Sequence, residues 1–187
     1  MAREAIEVQE NPFTEAAQAT EKTKRLSTRQ QRVGAATDIA KLKTDGYVIL
    51  EDCVNRANVD AIAVEFDRLH NSEHECDTEF AGFKTRRMYN LVARTRILDQ
   101  LYLHPRVLAT IEGHLDDQIQ LSIASTVDLG PGETDQPFHR DDSYYPIERP
   151  HKPLSVNAML AVDDFTVENG GTMLVPGSHL TADLGPP

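Results

Sequence analysis

The chain has 187 residues, 40% hydrophobic and 26% charged, with a formal net charge of -11. That length and balance suit one globular domain with its own core. The acidic charge argues against nucleic acid or an anionic membrane as partner, and no apolar run approaches the length of a membrane span.

Residues 1–34 are polar and rich in Glu, Gln, Thr and Arg, without a sustained apolar period. They read as an exposed, partly disordered extension with no signal-peptide pattern, and a domain is expected over 35–187. Ile39 and Leu42 predict a short helix broken at Asp45-Gly46, and Tyr47 to Leu50 reads as a buried strand. Val59, Ile62, Phe66 and Leu69 follow at spacings of three, four and three, which marks an amphipathic helix. The segment from Asn71 to Phe83 is acidic and reads as a solvated loop, its Cys and His lacking a zinc-type pairing. Cys53 and Cys76 form no recognisable framework and read as reduced thiols of a cytoplasmic protein, with a disulfide between them left open.

Arg86-Arg87-Met88-Tyr89-Asn90 is a basic patch in an acidic chain. It suits a surface salt-bridge cluster or a segment facing an anionic group, and both readings stand. Two helical pieces follow, at 97–103 and 105–113, the second opened by Pro105 and ended by Gly113. From Gln118 the period changes to alternation: Ile119, Leu121, Ile123, Val127 and Leu129 share one face, and Gln120, Ser122, Ala124, Thr126 and Asp128 the other. Gly130-Pro131-Gly132 ends this strand. A second strand is predicted over 154–163. A third, Thr172 to Val175, follows the turn Glu168-Asn169-Gly170-Gly171. Helices first and Gly/Pro-joined strands after them predict an α+β domain, with a double-sheet jelly roll as its catalytic half.

Between the first two strands lies Gln136-Pro137-Phe138-His139-Arg140-Asp141-Asp142. On an extended chain His139 and Asp141 project the same way. A neutral imidazole and a carboxylate so placed can take two adjacent positions on a divalent metal. They form two thirds of the two-His-one-carboxylate set of non-haem Fe(II) oxygenases. The second His-x-Asp, His114-Leu115-Asp116, ends a helical run. Residues i and i+2 diverge on a helix, so it reads as a polar helix end.

Five segments in order carry a resemblance: Asp45 to Ile49, Gly130-Pro131-Gly132, His139 to Asp142, Asp163 to Gly171, and Val175-Pro176-Gly177-Ser178-His179. The chain resembles the phytanoyl-CoA dioxygenase family of Fe(II)- and 2-oxoglutarate-dependent oxygenases. The resemblance implies N-terminal helices packed on a double-stranded β-helix, with His139 and Asp141 as iron ligands. It implies hydroxylation of an unactivated C–H of a small-molecule substrate by O2, with 2-oxoglutarate decarboxylated to succinate. Thr126, Asn157 and, by a looser match, Arg87 would line the 2-oxoglutarate pocket. Retention of Asp141 favours hydroxylation over halogenation.

Members of that family take a third ligand from a distal His and bind the far 2-oxoglutarate carboxylate with an Arg about a strand later. After Asp141 this sequence offers His151, in a Pro-bracketed loop, and His179, which matches a turn His that is not a ligand in the family. The ligand and the Arg are therefore expected beyond Pro187, and the chain is expected to be the N-terminal part of a longer enzyme that continues into the closing strands of the jelly roll. Two other readings stay open: a degenerate, non-catalytic binding or scaffold member, and a different metal enzyme on a cupin-like jelly roll, such as an isomerase. Substrate and oligomeric state are not legible.

Overall fold

The computed structural model describes residues 34–115 and 118–182. The expected extension over 1–34 lies, apart from Gly34, outside the described residues, as does Asp116. Helix α1 (Ala36–Asp45) forms where expected. It stops at Gly46, whose φ of 84° is left-handed and whose N–H returns to the Leu42 carbonyl at 3.0 Å. Helix α2 (Arg56–His70) starts at Asn55, whose side chain accepts the Asn58 N–H at 2.9 Å.

Strand β1 (Thr85–Tyr89) is built from the basic patch, and short helices α3 (Leu91–Arg94) and α4 (Asp99–Tyr102) follow it. Helix α5 (Pro105–His114) has Pro105 in its first turn and packs on α1. Gly113 lies inside this helix rather than after it: a Cβ there would stand 2.3 Å from Ile39 Cδ1, so the missing side chain lets α1 approach. Arg106 of α5 makes a forked pair with the buried Asp38 of α1, at 2.7 and 2.9 Å.

Strand β2 (Ser125–Leu129) runs antiparallel to β1, with Met88 opposite Thr126 and Arg86 opposite Asp128. Among the described residues this pair is the whole sheet, so the α+β class holds while three expected strands are absent and a fourth is shortened. Residues 118–124, 154–163 and 172–175 run without a ladder, as does the Tyr47 to Leu50 segment. Alternation specifies which side chains share a face. It does not specify a neighbouring backbone, and a strand needs both.

The core comprises Ile62, Met88, Leu91 and Leu98, with Phe66, Leu69, Ala124, Leu160 and Val162 packed around it. Two alternation-based predictions are thus resolved in different senses. Leu160 and Val162 turn their apolar face inward. At β2 the smaller-residue face, Thr126 with Ala124 just before the strand, meets the helices, while Val127 and Leu129 stay exposed. Cys53 and Cys76 are free thiols. No helix among the described residues is long and apolar enough to cross a membrane.

Candidate functional site

The chain leaves β2 through Gly130-Pro131-Gly132, and this turn is pinned to the edge of β1. The Gly130 N–H donates to the Lys84 carbonyl at 2.7 Å. The Glu133 carboxylate accepts the Lys84 N–H at 2.6 Å and the Thr85 hydroxyl at 2.9 Å. Backbone donors from Thr134 and Lys84 hold the Glu133 carboxyl below the usual carboxylate range.

From this anchor the chain runs without a ladder to Arg140, and turns over Asp141 to Ser143, whose N–H donates to the Arg140 carbonyl at 3.1 Å. His139 and Asp141 therefore meet where a loop enters a turn, and not on a strand as expected. His139 Nδ1 is 2.9 Å from the Pro137 carbonyl, which can only accept, so Nδ1 is the donor there and Nε2 is turned to other partners. That Nε2 stands 3.3 Å from Asp141 Oδ1. Two right-angle bonds of about 2.1 Å to one metal ion would place their donor atoms about 3.0 Å apart. The observed pair, at 3.3 Å, is close to that separation. The Phe80 ring meets the His139 imidazole edge-on at 4.9 Å, and the Gln136 amide donates to the Phe80 carbonyl. Asn157 donates its amide to Asp141 Oδ2.

The structure therefore brings His139, Asp141 and Asn157 together. Thr126 and Arg87 stand elsewhere. Thr126 is buried, its Oγ1 2.7 Å from His70 Nε2 and accepting the Met88 N–H at 3.3 Å. Arg87 neighbours Met88 on β1 and so projects from the opposite face of the ladder, where its Nε donates to the Ala81 carbonyl at 3.3 Å. His151 donates through Nδ1 to the Lys152 carbonyl at 2.7 Å and turns Nε2 toward Asp142, 3.5 Å away. His179 donates through Nε2 to the Lys43 carbonyl at 3.1 Å, at the end of α1. Among the described residues, no group of three or more His, Cys, Asp or Glu side chains could hold a metal ion.

Sequence reasoning missed two supports. His70 ends α2 buried between Thr126 and Asp128, whose Oδ2 is 3.7 Å from Nδ1 and 2.6 Å from Arg86. Its place four residues after Phe66, in the apolar stripe, was the available signal. Glu133 gave no signal, because its partners lie 48 and 49 residues away.

Residues 42–184 match the family model described as phytanoyl-CoA dioxygenase. The chain belongs to the phytanoyl-CoA dioxygenase family. It is 31% identical over 175 residues to the dioxygenase FUM3 of Gibberella moniliformis, covering 81% of this chain and 58% of that protein. It is 30% identical over 161 residues to the dioxygenase cdmA of Talaromyces verruculosus, covering 78% and 55%. With the dioxygenase andF of Emericella variicolor the figures are 28% over 153 residues, 74% and 53%. The chain thus spans little more than half the length of these relatives. No solved structure matches it.

Proposed function

We propose that the chain carries two of the metal ligands of an Fe(II)- and 2-oxoglutarate-dependent dioxygenase that hydroxylates an unactivated C–H of a small molecule. The observation that carries this reading is the convergence of His139 Nε2 and Asp141 Oδ1 at 3.3 Å, in a member of this family. One imidazole nitrogen and one carboxylate oxygen fit the donor chemistry of non-haem iron. The chemistry supplied by bound iron is the coupling of 2-oxoglutarate decarboxylation, giving succinate and CO2, to hydroxylation by O2.

The residues on hand have separate tasks in this scheme. Pro137 fixes the tautomer of His139, and Phe80 fixes its ring plane. Asn157 holds one oxygen of Asp141, so the other is free to ligate. Thr126 and Arg87 are kept as co-substrate contacts, which requires Thr126 to exchange its His70 partner and Arg87 its Ala81 partner. The third ligand and the cation for the distal 2-oxoglutarate carboxylate are assigned to side chains outside the described residues. The same holds for the partner strands of 154–163 and 172–175 in a double-stranded β-helix. Residues 35–187 are read as the N-terminal part of that cytoplasmic catalytic domain, and 1–34 as an extension.

The test is succinate release by the full-length protein, supplied with 2-oxoglutarate and O2 over a panel of small apolar substrates. Release that requires Fe(II) and is lost in His139→Ala is the expected result. Iron-dependent release that survives His139→Ala overturns the site. No release from any substrate, with no metal bound, returns the chain to a non-catalytic binding role.

A further inference from the structure

Arg140 separates the two proposed ligands, and its guanidinium reaches away from them to a different segment. Its Nη2 donates to the Ser178 carbonyl at 2.9 Å and to Thr181 Oγ1 at 3.1 Å, and its Nη1 lies 3.5 Å from the Ala182 carbonyl. These acceptors belong to the 3-10 turn Ser178–Leu180 and the residues just after it. That turn is seated on the C-terminal end of α1: Gly177 donates its N–H to the Asp45 carbonyl at 2.7 Å, and His179 donates to the Lys43 carbonyl at 3.1 Å. Carbonyls at a helix C-terminus lack intrahelical donors, so the turn supplies what the helix end needs. Helix α1 is in turn held to α5 by the Asp38–Arg106 fork.

We propose that Arg140 is a positioning residue, tying the His139–Asp141 pair through the Ser178–Thr181 turn to the end of α1, so that the two donor atoms are held converged before a metal binds. The proposal rests on the reading of His139 and Asp141 as a metal pair. Three segments far apart in sequence meet at this clamp: Lys43 to Gly46, Arg140 and Gly177 to Thr181. The guanidinium suits the task because one planar fork reaches several acceptors at once. An ammonium on a flexible stem reaches them one at a time. The exposed partner, Thr181, gives a second handle on the same contact.

The experiment is a titration of the full-length protein with Co(II), read by calorimetry and by the visible absorption of the bound ion, which reports ligand geometry. Variants are Arg140→Gln, Arg140→Lys, Thr181→Val, the Arg140→Gln/Thr181→Val pair and His139→Ala. Arg140→Gln is expected to weaken Co(II) binding about 10–100-fold and to alter the absorption band, the size seen when a residue orienting a ligand is lost. Arg140→Lys should not restore it. Thr181→Val should weaken binding less, and adding it to Arg140→Gln should have no further effect. If His139→Ala abolishes binding while Arg140→Gln and Thr181→Val leave affinity and band unchanged, the positioning role is overturned and the metal site stands. If His139→Ala leaves Co(II) binding unchanged, the metal-site reading fails first. Should Arg140→Gln not fold, Thr181→Val decides: an unchanged affinity and band overturn the proposal.

Discussion

Asn157 donates its side-chain amide to Asp141 Oδ2, leaving Oδ1 of the same carboxylate turned toward His139. The two residues are 16 positions apart, so the contact is a tertiary one. Replacing Asn157 with Leu frees the carboxylate to rotate. Divalent-metal affinity of the full-length protein is expected to fall about 10–100-fold, as for other lost ligand-orienting partners. Both side chains are exposed, so the melting temperature should move little. A calorimetric metal titration beside a thermal melt checks both parts. Unchanged affinity would show that the carboxylate is held by something else.

Met88 is fully buried at the centre of the core, opposite Thr126 on the ladder. Met88→Ala removes most of a core side chain and leaves a cavity under α2. The expected loss is about 2–5 kcal/mol in chemical denaturation.

The hydroxyl of Thr126 sits 2.7 Å from His70 Nε2 and accepts the Met88 N–H. Because it accepts the Met88 N–H, the Thr126 hydroxyl is free to donate its own proton to His70 Nε2. His70→Leu leaves that hydroxyl proton without an acceptor in a buried place, at a cost of about 1–3 kcal/mol. The His70→Leu/Thr126→Val pair should cost less than the sum of the two single changes, because it removes the donor with its acceptor. Four denaturation curves close this cycle. Strict additivity would mean that the two side chains do not interact.

Burial, with Lys43 and His179 nearby, holds the His114 imidazole below its ordinary value of 6.5. Protonation therefore favours the unfolded chain. This contribution to stability is intact above pH 6.5 and is lost as the pH falls from there toward the folded value. Melts at pH 7.5 and 5.5 should differ more in the wild type than in His114→Gln. Equal differences would remove His114 as a source of acid sensitivity.

How much of this was legible depended on the sequence distance between the residues involved. His139 and Asp141 could be paired from the sequence because two positions along the chain keep them within reach, although they meet at a turn and not on a strand. Helices α1, α2 and α5 were legible from Leu42, from the Ile62–Phe66–Leu69 spacing and from Pro105, all local signals. Strand β1 was not, because Arg86 and Arg87 interrupt its apolar pattern. Their partners, Asp128 across the ladder and the Ala81 carbonyl, appear only once the chain is folded. The polar face of β2 was readable, but its direction was not. Thr126 turns inward because a histidine 56 residues earlier supplies its hydrogen bond. The ladderless segments 154–163 and 172–175 show the same limit from the other side, since a repeating pattern names no neighbour.

Position 46 is under two independent demands. Its backbone needs the left-handed φ that closes α1, and a Cβ there would lie 2.5 Å from His179 Nδ1. A side chain at 46 would therefore both strain the helix end and push the 177–181 turn away from it. In the clamp described above, that push would arrive at Arg140, between the proposed ligands. Random mutagenesis should thus find temperature-sensitive alleles at Gly46, a residue remote in sequence from the metal pair. Second-site suppressors of such alleles should appear at His179, where a smaller side chain gives the space back.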